Sequence, residues 1–123
     1  MTRILYVDDE DDIREIAAMA LELDDDFAVR ACGSGADALS IAPEFQPALI
    51  LLDVMMPQMD GPTTLVGLRA NERTAHIPVV FITARTQTAD VERLTELGAL
   101  GVIPKPFDPM TLAEQVRTFL GPT

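Results

Sequence analysis

The feature that most constrains this chain is an alternation of two hydrophobic periods. Four short apolar runs, at residues 4–7, 48–52, 79–82 and 101–103, repeat Val and Ile and are too short for core helices. Each therefore reads as a strand buried on both faces. Residues 27–31 mix Arg30 into a fifth apolar segment, as a strand with one wetter side would, and are read as an edge strand. Between the runs the period becomes helical. Ile13, Ile16, Ala17 and Ala20 share one face, Ala36, Leu39 and Ala42 a second, and Leu65 and Leu68 a third, after Gly61-Pro62. Val91, Leu94 and Gly98 share a fourth, and Leu112, Val116 and Phe119 a fifth, with Gly121 and Pro122 closing the last helix. Strand followed by helix, five times over with short loops, predicts an α/β fold: a five-stranded parallel sheet with helices on both faces, because parallel strands need crossover connections. At 123 residues, with no repeat or linker, the chain is read as one domain over 1–123.

Composition narrows the partners. Twenty acidic against nine basic residues give a net charge of −11, which repels a polyphosphate backbone and argues against direct nucleic-acid binding. A single cysteine, Cys32, leaves no intramolecular disulfide and no multi-cysteine zinc site, and fits a reducing compartment. No apolar run approaches the roughly 18 residues of a membrane span, and the start of the chain lacks a signal peptide. The expectation is a soluble cytoplasmic protein without a membrane partner.

In a parallel sheet all strands end on one edge, so residues just after the apolar runs converge there however far apart they lie in sequence. These are Asp8 and Asp9, Asp53, Thr83, and Pro104 with Lys105, the only lysine beside eight arginines. Three carboxylates together raise one another's pKa unless a cation joins them. All-oxygen ligands suit a hard divalent ion such as Mg²⁺, which typically combines carboxylates, waters and a phosphate. A metal beside a carboxylate, a hydroxyl and an ammonium also matches what phosphoryl transfer requires. The carboxylate nucleophile would form an aspartyl phosphate, and Asp53, after the most apolar run, is the central candidate. Taken singly, each piece is commonplace: Asp8-Asp9-Glu10-Asp11-Asp12 is an acid-rich helix start of the kind the helix dipole favours. Only the joint placement is specific.

The pieces together resemble the receiver domain of two-component response regulators. The resemblance rests on Ile4-Leu5-Tyr6-Val7-Asp8-Asp9-Glu10, Leu51-Leu52-Asp53-Val54-Met55-Met56-Pro57-Gln58-Met59-Asp60-Gly61, Phe81-Ile82-Thr83-Ala84 and Lys105-Pro106-Phe107, in the family's order and spacing. It implies a (βα)5 flavodoxin-like fold with strand order 2-1-3-4-5. By position, Asp53 resembles the phosphoacceptor, Asp8 and Asp9 the metal carboxylates, and Met55 the residue lending its backbone carbonyl to Mg²⁺ or Mn²⁺. Thr83 resembles the switch hydroxyl and Lys105 the phosphate-binding lysine, with a cis Lys105-Pro106 bond expected. The resemblance further implies a bacterial signalling switch whose phosphoryl donor is a histidine kinase or histidine phosphotransfer protein. Its output would run to a downstream protein through the face of the fourth helix, fifth strand and fifth helix, as a monomer or a phosphorylation-dependent dimer. It is not an enzyme on this reading beyond slow self-dephosphorylation.

One departure is Val102, where the family often carries Tyr or Phe. Met55 and Arg85, two residues after Asp53 and Thr83, occupy positions that in the family tune dephosphorylation. In the first helix Ala18 and Met19 fall off the core stripe, either as ordinary surface scatter or as a docking face for a partner's helical bundle. Asp24-Asp25-Asp26 reads as a solvated turn, Gly33-Ser34-Gly35 as a turn and helix cap, His76 as a surface histidine and Cys32 as an inert small hydrophobe. Three other functions compete. A Mg²⁺-dependent phosphohydrolase would want a second acid where Met55 stands, and a flavin site would want more aromatics and a Ser/Thr-rich first loop. An unphosphorylated interaction domain would not need all five site residues.

Overall fold

The computed structural model describes residues 1–121; the proline expected after the last helix, Pro122, lies outside the described residues. Strands and helices alternate as β1 (Thr2–Val7), α1 (Asp11–Leu21), β2 (Phe27–Cys32), α2 (Gly35–Phe45), β3 (Leu49–Asp53), α3 (Gly61–Ala70), β4 (Val79–Thr83), α4 (Thr88–Glu96), β5 (Gly101–Pro104) and α5 (Leu112–Leu120). The five strands form one parallel sheet in the order β2-β1-β3-β4-β5, with β2 at an edge. Among the described residues no helix is long and apolar enough to cross a membrane.

The two-residue strand period divides the core into two layers. Leu5, Val7, Ile50, Leu52, Val79 and Phe81 point to one side, where Ala38 and Ala42 of α2, Leu65 and Leu68 of α3 and Leu94 of α4 cover them. Ile4, Tyr6, Leu49, Leu51, Val80 and Ile82 point to the other, beneath Ala17, Ala20 and Leu21 of α1 and Leu112 and Val116 of α5. Every residue of β3 and β4 is buried, as strands covered on both faces must be.

Three helical stripes differ from the sequence expectation. In α2 the buried residues are Gly35, Ala38 and Ala42, while Ala36 is exposed and Leu39 half-buried. The small side chains turn inward because α2 lies hard against α3: a Cβ on Gly35 would sit 2.1 Å from Thr64 Oγ1. In α1 the buried stripe is Ala17, Ala20 and Leu21, and Ile16 is 44% exposed on the flank rather than in the core. In α4 the helix stops at Glu96, so Gly98 serves as its terminator instead of a face residue. Its φ of +109°, the Gly98 N–H donated to Thr95 O and the Ala99 N–H donated to Leu94 O form a Schellman closure, with Ala99 and Leu94 buried in the same cluster.

Candidate functional site

The strand register brings the sequence-predicted residues to one edge. Val7 lies opposite Leu52, Asp53 opposite Ile82 and Thr83 opposite Pro104, so the chain runs out of β1, β3, β4 and β5 into Asp8, Asp53, Thr83 and Lys105 at one level. Asp8, Asp53 and Thr83 are almost fully buried, at 0%, 5% and 3% exposed, and Asp9 is more open.

Each residue is held there by local structure. Asp60 caps α3 by accepting the Thr63 N–H at 2.9 Å, and Gly61 donates its N–H to Val54 O at 2.9 Å. This folds the Met55 loop back over the end of β3, an approach only glycine allows: a Cβ at Gly61 would stand 2.5 Å from Asp53 O and 2.9 Å from Val54 Cα. At the end of β1, Asp8 Oδ1 accepts the Glu10 N–H at 3.0 Å and the Asp8 carbonyl accepts Arg14 Nη1 at 2.8 Å. Thr83 Oγ1 accepts the Arg85 N–H at 3.0 Å, which leaves its own proton to donate. The Lys105-Pro106 peptide is cis.

The electrostatics centre on Lys105. Its Nζ lies 3.1 Å from Asp8 Oδ2, 3.4 Å from Asp53 Oδ2 and 3.4 Å from Glu10 Oε1. Burial lowers its pKa, but the hydrogen bonds and charges of Asp8 and Asp53 prevail and hold it above the ordinary lysine value. Burial first and the Asp8 charge second push the Asp53 carboxyl up to about 6, against the pull of Lys105. One ammonium therefore faces a surplus of carboxylate. Asp8, Asp9 and Asp53 each offer an oxygen within 4.8 Å of the others, a donor set that could hold a metal ion and fits a hard divalent cation. Met55 follows β3 and is 67% exposed.

Sequence reasoning missed three contributors. Tyr6, read as one more residue of an apolar run, donates its hydroxyl to Asp8 Oδ2 at 2.9 Å from a fully buried position. Its place two residues before Asp8, on the same strand face, is the signal that could have found it. Glu10, the last residue of the Asp8-Asp9-Glu10 run, reaches Lys105, and Arg14 ties the β1–α1 loop down; the sequence gives no sign of either contact.

Ser34 Oγ caps α2 by accepting the Asp37 N–H at 3.0 Å, His76 is exposed, and Cys32 is buried with its thiol pushed up to about 11 by burial. The Asp24–Asp26 turn is clasped from α5 by Arg117, 2.8 Å from Asp24 Oδ2 and 4.6 Å from the Phe27 ring centroid.

Comparison with known proteins gives one consistent picture. The profile of the response regulator receiver domain matches residues 4–117. Response regulator Rre1 of Synechocystis is 39% identical over 117 residues, covering 95% of this chain and 51% of the relative. The DNA-binding response regulator MtrA of Mycobacterium tuberculosis is 39% identical over 118 residues, 96% of this chain and 50% of its own. The chain thus spans about half the length of the curated relatives it matches. Among solved structures, Vibrio cholerae chemotaxis protein CheY4 superposes with a TM-score of 0.88 at 28% identity, covering 97% of this chain and 98% of that one. The receiver domain of a Syntrophus aciditrophicus signal transduction histidine kinase gives 0.82 at 31% identity, over 98% and 90%.

Proposed function

The chain belongs to the response regulator receiver domains, and from that premise we propose that it is a phosphoacceptor switch, read as one receiver domain over 1–123, with Asp53 as the residue phosphorylated. The observation that carries the reading is the buried Asp53 carboxylate at the centre of the sheet edge, 3.4 Å from the Lys105 ammonium and pooled with Asp8 and Asp9. An Asp53 oxygen attacks the phosphorus of a phosphohistidine on a histidine kinase or phosphotransfer protein. A P–O bond forms, the P–N bond breaks, and the released imidazole nitrogen takes up a proton. Asp8, Asp9, Asp53 and the Met55 backbone carbonyl would hold Mg²⁺ or Mn²⁺. That ion would supply positive charge to the crowded carboxylates and the phosphoryl oxygens. Lys105 exchanges its contact with Asp53 for a phosphoryl oxygen, and the free Thr83 proton donates to another. These movements bias the α4-β5-α5 face, on which Leu97 and Leu100 are 45% and 49% exposed, toward a downstream protein or a second copy of the chain.

Val102 is half-buried opposite Phe81 in β4 and has no ring to swing. Coupling here is proposed to travel through backbone and loop shifts, so phosphorylation should move amide resonances across residues 92–101; an unmoved set in that stretch rules the route out. The donor's helical bundle is proposed to dock on α1, where exposed Ile16, Met19 and Leu23 form an apolar groove with Pro109 and Met110, continuous with the loop after Lys105.

The reading is tested by intact-mass spectrometry after incubation with Mg²⁺ and acetyl phosphate. A single phosphoryl adduct is expected on the wild type, lost with EDTA and absent in Asp53→Asn. No adduct, together with no binding of a non-hydrolysable phosphate mimic, would leave an unphosphorylated interaction domain as the better account.

A further inference from the structure

Tyr6 is the only tyrosine in a chain without tryptophan. Its ring is fully buried in the layer beneath α1 and α5, and in the register it lies opposite Ala31 and Leu51. A phenol in that apolar layer would be costly without a hydrogen-bond partner, and the partner it has is Asp8 Oδ2 at 2.9 Å. Burial, then the charge and hydrogen bond of Asp8, push its pKa far above the ordinary tyrosine value, so the hydroxyl stays a donor.

The Asp8 carboxylate is held by three donors. Oδ2 accepts Tyr6 and Lys105 Nζ, and Oδ1 accepts the Glu10 N–H. With two donors on Oδ2 and one on Oδ1, the open lone-pair direction belongs to Oδ1. The donors are not equivalent. Lys105 is shared with Asp53 and Glu10 and, as the switch is read above, turns from Asp53 to the phosphoryl group. Tyr6, anchored in the sheet, and the Glu10 amide, at the start of α1, stay where they are.

We propose that Tyr6 is a positioning residue: its buried hydroxyl holds the Asp8 carboxylate in the orientation in which the acidic pocket takes up a divalent cation, before and after Lys105 moves. The inference rests on the reading of Asp8 as a metal carboxylate. It assigns to the β1 core residue the part that outer hydrogen-bond partners play for ligating carboxylates elsewhere, whose loss typically costs about 10- to 100-fold in metal affinity.

The test is calorimetric titration of the metal-stripped protein with MgCl₂, for wild type and Tyr6→Phe, which keeps the ring and removes only the hydroxyl. The dissociation constant should rise about tenfold in the variant, with an unchanged melting profile. A second measurement needs no variant. With tyrosine labelled at Cζ with ¹³C, the single ring signal of the wild type should move saturably with Mg²⁺, at the calorimetric midpoint. A Tyr6→Phe dissociation constant within about twofold of wild type, or a Cζ signal unmoved at saturation, overturns the inference while leaving the metal site standing. A wild type that takes up no Mg²⁺ removes the metal reading and the inference with it.

Discussion

The two halves of the sheet edge are built differently. On the β1–β3 side the acidic residues are wired in place: Asp8 is held by Tyr6, Glu10, Arg14 and Lys105, and the β3 loop is pressed onto Asp53 by the close approach of Gly61. On the β4–α4 side residues 84–89 are all exposed, and α4 buries only Leu94, whereas α1 buries three residues. The carboxylates to which the phosphoryl chemistry is assigned above sit on the first half. Movement can be obtained from the second at little cost, because regions with few buried contacts open locally at low free energy.

The largest test of this contrast is a pair of core truncations. Leu52→Ala in β3 and Leu94→Ala in α4 remove the same group from the same cluster; the first should cost about 3 kcal/mol of global stability, the second no more than the smaller free energy that opens α4 alone. They should differ in reach. By native-state hydrogen exchange, Leu94→Ala should accelerate amides 88–97 while those of β1 and β3 stay protected, whereas Leu52→Ala should lower protection throughout. Uniform loss in both variants would mean that α4 is not a separately opening element.

A glycine pair sharpens the same point at smaller scale. Gly61→Ala places a methyl against backbone that cannot retreat, and about 3 kcal/mol is expected from the overlap. Gly98→Ala meets open space and is strained only by its φ of +109°, for about 1 kcal/mol. Urea denaturation of both variants measures the difference; equal costs would contradict an anchored and a loose half.

The site's pH dependence carries a sign that follows from its crowding. Asp53 titrates at about 6 in the folded chain, above its unfolded value, so the folded state binds the proton more tightly and stability rises as pH falls from 7 through 6. Between pH 7 and 5, in EDTA, the wild type should gain about 1 kcal/mol on Asp53→Asn. Asp24, lowered by Arg117, acts in the opposite direction and loses its contribution on acidification. A wild type that instead weakens against Asp53→Asn over this range would show that Lys105 outweighs burial and Asp8.

What was legible in the sequence divides along the same line. Strand ends are marked by an abrupt change from Val, Leu and Ile to Asp, Thr or Pro-Lys, so Asp8, Asp53, Thr83 and Lys105 could be placed on one edge without coordinates. Helix rotation could not be read as well. Whether α2 turns in Ala36 or Gly35 depends on how near α3 comes, a distance set by Thr64, 29 residues further along the chain. Ile16 is as apolar as any core residue, yet the inward stripe of α1 is filled by Ala17, Ala20 and Leu21. The Tyr6 hydroxyl and the Arg117 clasp were hidden for a related reason. A tyrosine inside an apolar run counts as bulk until its oxygen is located, and an ion pair between α5 and the turn before β2 has no spacing to betray it.

The smallest expected effect lies at the mouth of the loose half. Arg85 is exposed, lines a shallow hollow with Thr86, Gln87 and Asp90, and has no ion-pair partner among the described residues. Its amide is already bonded to Thr83 Oγ1, so any shift of Thr83 toward a phosphoryl group carries the Arg85 backbone with it. If the guanidinium then lies over phosphorylated Asp53, it hinders the approach of water to the phosphorus. Arg85→Ala should shorten the lifetime of the phosphoryl adduct about threefold, or about 0.7 kcal/mol in the barrier, read from the decay of the adduct mass after the phosphodonor is removed. A change this small suits a side chain on the mobile half: it modulates a site whose chemistry is fixed by the other. An unchanged decay would place the guanidinium away from the phosphate, whereas a loss approaching 100-fold would put Arg85 among the fixed groups and move the boundary between the halves to the far side of β4.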